Sequence, residues 1–269
     1  MLPLLIIDGD NLAHRAYHST PKSVENNAIV GFTRMLANLY EKERPRGVFV
    51  AWDTLGIDTY RNELWPPYQT GRVFEPEIVR QLNLLPDICG AFGFGVGKEA
   101  GFEADDLMAS AAKAEVEQSG TCLLLTTDRD SFQLVSDQVT VLSPRRGARE
   151  LDRIGPREVV AHFGVLPQQV PDFKALCGDP SDKIPGIKGI GPKSAADLLL
   201  KYGNLESVLA AWNDPVKTEL ALRFREVVTM RPTAQVQLPK GDPDWVSGAA
   251  VMRDLGADSL AERLLTLAS

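Results

Sequence analysis

Three apolar runs in this chain each lead into an aspartate: Leu4-Leu5-Ile6-Ile7-Asp8, Val48-Phe49-Val50-Ala51-Trp52-Asp53 and Leu123-Leu124-Leu125-Thr126-Thr127-Asp128. A short apolar run bounded by turn residues marks a strand buried on both faces, and such strands separated by helical stretches pair in parallel. The fold class that follows is α/β, with a mostly parallel central sheet flanked by helices. A sheet of that kind binds its ligand beyond the carboxyl ends of its strands. If the three strands are neighbours, three carboxylates converge on one crevice, and like charges so close together call for a cation among them.

Helical spacing over Ala28 to Lys42 puts Ile29, Phe32, Leu36 and Leu39 on one face. Further helices are expected over Glu77 to Phe92 and Glu103 to Gln118, with short strands at Phe92 to Val96 and Val139 to Leu142 and a short helix over Ser131 to Val135. Residues 54 to 76, with Tyr60, Arg61, Trp65, Tyr68, Gly71 and Arg72, are polar, aromatic and basic without an apolar stripe, which in a compact domain suggests function. Strand and helix stop alternating beyond Pro144, so the chain is expected to divide into an α/β core over 1–165 and a helical region over 166–269. The tail, Pro239 to Ser269, fits a strand and a closing helix.

Composition narrows the chemistry. No apolar stretch reaches about 18 residues and no leader is visible, so a cytoplasmic protein away from membranes is expected. Cys89, Cys122 and Cys177 are odd in number and widely spaced, as buried free thiols would be. With three histidines in the chain, a histidine-based metal site is poorly supported. The net charge of −7 would argue against a nucleic-acid partner unless many acids surround bound cations.

Such a gathering is visible. Asp8, Asp53, Glu103, Asp105, Asp106, Asp128, Asp130, Asp179 and Asp182 stand at expected strand ends, one helix start and one turn. Each group alone has a plain reading as a helix cap or turn. Together they form the oxygen-rich ligand set of magnesium or manganese and argue against zinc. Two such ions roughly 3.5 to 4 Å apart support an in-line phosphoryl displacement, which points to phosphodiester hydrolysis. Asp10 is a further acid, and Asp8-x-Asp10 after a strand is also how a haloacid-dehalogenase-like phosphatase begins. That reading ranks second, because a glycine-rich hairpin follows the last acids at once.

The hairpin is Gly186-Ile187-Lys188-Gly189-Ile190-Gly191-Pro192-Lys193-Ser194-Ala195. Its turn amides, with the start of the next helix and the two lysines, would form a phosphate site that positions a duplex without reading its sequence. The plainer reading is an αα-hairpin with glycine caps.

These stretches closely resemble the bacterial 5′-nuclease (flap endonuclease) family, known as stand-alone enzymes and as the N-terminal domain of DNA polymerase I. The resemblance rests on Ile7-Asp8-Gly9, Arg15 to His18, Asn27-Ala28 with Gly31-Phe32, Val50 to Asp53, Tyr60 to Leu64, Gly101 to Asp106, Thr126 to Asp130 and Gly178 to Ala195. It implies a PIN-like nuclease core with one ion held by Asp8, Asp53, Glu103 and Asp105, with Asp106 and Asp128 close by. A second ion would lie nearer Asp128, Asp130, Asp179 and Asp182. It implies that Arg15 and Arg72 steer the scissile phosphate, that residues 54–80 form an arch over a 5′ single strand, and that Tyr68 stacks on a base. A helix-hairpin-helix near 184–200 would grip duplex DNA through Lys188, Gly189, Ile190, Gly191, Pro192, Lys193 and Ser194. A potassium ion there would be held by main-chain carbonyls of Leu176, Cys177, Pro185, Ile187 and Ile190.

Two departures stand out. Many relatives carry a lysine after the arch tyrosine where this chain has Gln69, and Asp10 replaces a small residue, which would add a ligand or a third ion. The expectation is a stand-alone, monomeric, two-metal 5′-flap endonuclease and 5′-3′ exonuclease of replication and repair, using Mg²⁺ or Mn²⁺ on flapped or branched DNA. A binding module for branched DNA that has lost catalysis is the other alternative.

Overall fold

The computed structural model describes residues 2–71, 73–144 and 150–268. In chain order the first half holds β1 (Leu4–Asp8), α1 (Gly9–Ser19), α2 (Asn27–Glu43), β2 (Gly47–Ala51), α3 (Tyr60–Leu64), α4 (Pro76–Ala91), β3 (Gly95–Gly97), α5 (Ala104–Glu117) and β4 (Cys122–Leu125). A 3-10 turn (Arg129–Leu134), β5 (Val139–Pro144), β6 (Leu151–Ile154), α6 (Pro156–Phe163) and a second 3-10 turn (Pro167–Gln169) follow. The remaining helices are α7 (Val170–Cys177), α8 (Pro192–Tyr202), α9 (Leu205–Trp212), α10 (Pro215–Val228), α11 (Trp245–Asp254) and α12 (Asp258–Leu265). Among the described residues no helix is long and apolar enough to cross a membrane.

The chain forms two compact units. The first comprises Met1–Thr54, Val73–Thr127 and Pro232–Ser269; the second comprises Leu55–Arg72 and Asp128–Arg231. Both are discontinuous in sequence, whereas the expected division is a single cut near residue 165. That cut stays a proposal.

In the first unit β1 lies between β2 and β4, with β3 outside β2, and the strands of these three pairs run parallel. Leu4, Leu5, Ile6 and Ile7 have no exposed surface, as a strand covered on both faces requires. Burying each such side chain stabilises the fold by about 1.5–3 kcal/mol. Register sets Asp8 opposite Ala51 and Ile7 opposite Leu125, so β1, β2 and β4 finish at one edge of the sheet. The chain turns sharply there: a Cβ on Gly9 would lie 2.6 Å from the Trp52 ring and 2.7 Å from the Ala51 carbonyl, so only glycine fits.

Residues 232–269 complete this unit. The expected strand in the tail is absent among the described residues; α11 and α12 stand in its place. Trp245 supplies the reason, since its buried ring meets Tyr40 at 4.9 Å and Phe92 at 5.8 Å while Asp244 N–H donates to the Phe92 carbonyl at 2.7 Å. A part-buried ion pair also belongs to this unit: Arg46, on the turn into β2, grips both carboxylate oxygens of the buried Glu115 on α5.

The second unit packs α6 to α10 with an antiparallel pair, β5 and β6. It includes α3, whose buried Arg61 donates to the Val227 carbonyl at 3.0 Å while the Tyr60 hydroxyl donates to the Thr229 carbonyl at 3.0 Å. Residues 54–80 are therefore not one element: 55–71 belong to the second unit, whereas α4 opens at Pro76 in the first.

Candidate metal centre

In the first unit backbone amides organise the acids. Asp8 caps α1, accepting from Asn11 N–H at 3.0 Å and from the Thr126 hydroxyl at 2.8 Å. Asp10, in the first turn of α1, accepts from Asp53 N–H at 2.8 Å, and Asp53 accepts from Ala104 N–H at 2.7 Å where α5 begins. Three carboxylates thus tie the ends of β1 and β2 to the starts of α1 and α5. The cost falls on Asp10: burial, then repulsion from Asp53, push its carboxyl well above the usual range; the Asp53 amide and Lys98 offset part of this and Asp8 adds to it.

Glu103 N–H donates to Asp106 at 3.1 Å, and Asp106 is fully buried in the first turn of α5. This contact closes a capping box, and a metal role for Asp106 stays a proposal. Asp105 and Glu103 flank it, each half-buried. Arg15 lies half-buried on α1. Arg72 lies outside the described residues.

The second unit uses a different device. Carboxylate oxygens of Asp130, Asp179 and Asp182 all lie within 4.8 Å of one another, the donor type and spacing that a hard divalent cation takes. Asp130 sits in the 3-10 turn that Asp128 caps by accepting Asp130 N–H at 2.8 Å. Asp179 and Asp182 sit in the turn after α7, closed by mutual hydrogen bonds between Asp179 and Ile184 at 2.8 and 2.9 Å. Gly178 and Gly186, with φ of +83° and +67°, let this turn fold back on itself: a Cβ on Gly186 would lie 2.3 Å from Gly178 N.

Lys174 on α7 reaches into these acids, its ammonium pairing with Asp130 and, at 2.6 Å, with Asp179. Burial raises the Asp179 carboxyl, but Lys174 and the Ser181 hydroxyl and amide outweigh it and hold that group below the usual range. Sequence reasoning missed this lysine. Its one signal is position: a single cation in the apolar stretch Val170 to Cys177, five residues before Asp179, and lysine is almost never buried unless paired.

Gln69, expected at the place of the family's arch lysine, donates to Asp182 at 3.1 Å and to the Tyr68 hydroxyl at 2.7 Å. Trp65 donates to the Lys183 carbonyl at 2.9 Å, and the Lys183 ammonium bonds the Thr70 hydroxyl at 2.9 Å. Residues 65–70 thereby lie on the acidic turn. The Tyr68 ring is buried and its hydroxyl accepts from Gln69, so base stacking by Tyr68 stays a proposal that requires the ring to be uncovered.

Further along, Lys188, Gly189, Gly191, Pro192, Lys193 and Ser194 are exposed and Ile190 is half-buried, with Gly189 at φ +88° and Gly191 capping α8. The Leu176 carbonyl accepts from Ile187 N–H and the Ile187 carbonyl from Ile190 N–H, each leaving a second lone pair. Cys89 and Cys122 are buried and Cys177 half-buried; burial drives their thiols up, Cys122 to about 12 and Cys177 to about 11, which suits inert thiols.

Oxygen-rich carboxylate sets of this kind suit hard divalent cations, and comparison with known proteins supplies the class. Residues 3–164 match the family model of the 5′-3′ exonuclease N-terminal resolvase-like domain, and residues 165–238 match that of the 5′-3′ exonuclease C-terminal SAM fold. The chain belongs to the 5′-3′ exonuclease family, metal-dependent nucleases that hydrolyse DNA. It is 42% identical to DNA polymerase I of Mycobacterium bovis across 77% of its length, and 34% identical to that of Bacillus caldotenax across 97%. It spans 24% and 32% of those two proteins. Among solved structures, T5 5′-exonuclease with bound zinc shares the fold at a TM-score of 0.73 and 24% identity, covering 99% of this chain and all of that one. The catalytic core of Rad2 in complex with DNA substrate does so at 0.64 and 17%, covering 98% of this chain and 91% of that one. The family matches set aside the dehalogenase-type phosphatase.

Proposed function

We propose that the chain is a structure-specific 5′-flap endonuclease and 5′-3′ exonuclease, cutting branched or flapped DNA with Mg²⁺ or Mn²⁺. The observation that carries this reading is the convergence of Asp130, Asp179 and Asp182 in a chain of this family. In this reading Asp130, Asp179 and Asp182 hold one ion, with Asp128 beside them, and Asp8, Asp53, Glu103 and Asp105 serve another. Asp10 and Asp106 act chiefly on the backbone around those ligands. Divalent ions in such cages polarise a phosphodiester and make water a competent nucleophile near neutral pH. Arg15 and Arg72 would steer the phosphate.

The turn from Lys188 to Ser194 would grip the duplex backbone as a helix-hairpin-helix, with potassium at the carbonyls of Leu176, Cys177, Pro185, Ile187 and Ile190. A cytoplasmic monomer is the accompanying proposal. The test is incubation with a 5′-labelled flap duplex, with and without Mn²⁺. Metal-dependent release of the flap supports the reading, and binding without cleavage under every metal condition overturns it.

A further inference from the structure

Lys174 is the unusual group in the acidic turn. Its side chain is 8% exposed, and it faces Asp130 and Asp179, themselves 10% and 13% exposed. The oxygens it engages are Asp130 Oδ1 and Asp179 Oδ2, from two of the three residues whose oxygens converge closely enough for a cation. An ammonium and a hard divalent ion both seek anionic oxygen, yet they do so differently. The ammonium is a single charge on a flexible four-carbon stem and can leave, whereas the ion needs several oxygens at once. Without a cation, three carboxylates this close and this dry would repel one another, and the turn closed by the Asp179–Ile184 pairing would bear that strain.

We propose that Lys174 is an internal countercation: it holds Asp130 and Asp179 in place before the divalent ion arrives and sets the affinity of that ion by competing for the same oxygens. Lys174 is thus a positioning residue, acting through the carboxylates it neutralises. Ion binding includes displacement of the ammonium, so apparent affinity is reduced by the fraction of molecules in which the lysine occupies the cage. This trades tight binding for a cage that stays assembled when empty. The inference rests on the metal reading of Asp130, Asp179 and Asp182.

The experiment is a Mn²⁺ titration of the full chain without DNA, followed by the electron paramagnetic resonance of free Mn²⁺ and by thermal unfolding. Asp179→Asn identifies the ion bound at this cluster as the one it loses. Lys174→Met is expected to bind that ion at least tenfold more tightly, to unfold at lower temperature without metal, and to gain more from saturating Mn²⁺ than the parent does. Lys174→Gln, which keeps a hydrogen bond without the charge, should fall between them and serves if the methionine variant does not fold. A lysine with only a structural role would lower the unfolding temperature and weaken ion binding alike, so equal or weaker Mn²⁺ affinity in the folded variants overturns the inference. Unchanged Mn²⁺ binding in Asp179→Asn would instead bring down the metal reading, and the inference with it.

Discussion

The two acidic clusters keep like charges together by opposite means. In the first unit Asp8, Asp10 and Asp53 are held by backbone amides at the starts of helices and just past the ends of strands, so the sheet itself fixes them. In the second unit a side-chain ammonium links Asp130 to Asp179, which Ser181 also caps through its amide and hydroxyl, and an amide side chain holds Asp182. Amides cannot leave without unfolding a helix start; an ammonium or a glutamine can swing aside. The first cluster is therefore fixed in position by the sheet before any ion binds, whereas the side chains that hold the second can rearrange with what binds.

The largest effect that would break this comparison comes from removing a charge in the second cluster. Asp179→Asn should lower cleavage of a flap duplex by well over a hundredfold, because even changes to groups behind a metal ligand cost roughly 10- to 100-fold. Flap binding, measured by fluorescence anisotropy, should remain within a few-fold. Full cleavage by this variant would remove the second cluster from the chemistry.

Next in size is a stability effect in the first unit. Glu115 is 2% exposed and accepts from two nitrogens of Arg46, whose guanidinium is partly exposed, so Glu115→Ala removes the buried half of the pair and leaves Arg46 to water and the Pro239 carbonyl. Breaking a pair with one buried and one partly exposed partner costs about 1–2 kcal/mol, between the exposed and the fully buried cases. Urea unfolding should show that loss, while the folded variant at low temperature should cleave normally, since Arg46 and Glu115 touch none of the acids discussed above.

Asp10→Asn sharpens the comparison at a smaller scale. The amide still accepts the Asp53 N–H through its oxygen, and the repulsion that raises the Asp10 carboxyl disappears. The parent pays for ionised Asp10 as pH rises through its raised folded value, so its stability relative to the variant should fall on going from acid to neutral pH. Cleavage should change by about tenfold or less, the lower end for a group behind the ligands. Loss as deep as in Asp179→Asn would make Asp10 a ligand in its own right.

What could be read from sequence follows the same divide. Strands buried on both faces announce themselves as continuous apolar runs, so β1, β2 and β4 and the acids at their ends were legible. Helix α1 was not: its apolar face is only Leu12, Ala13, Ala16 and Tyr17, and its start is fixed by the Asp8 cap and by Gly9 fitting under Trp52. The acids were legible as one set before turns and at strand ends, and the grouping of Asp130 with Asp179 and Asp182 followed only from the family resemblance; their partners were not legible. Lys174, Gln69 and Thr126 reach their acids across 44, 113 and 118 residues of sequence, and no local periodicity encodes that.

The exposed turn at Lys188 to Ser194 gives the smallest and cleanest test, since it separates grip from chemistry. Lys188 and Lys193 are exposed, so changing both to alanine should leave the fold and the acids untouched. If each neutralises one phosphate, the slope of log affinity against log salt should flatten by roughly 0.9 per lysine for duplex DNA. Cleavage at saturating DNA should be unchanged, because the acids still meet the same phosphodiester once it is bound; only the concentration needed to reach saturation should rise. An unaltered salt slope would mean that the turn is an ordinary helix connection, and the duplex contact would have to be sought elsewhere on the chain.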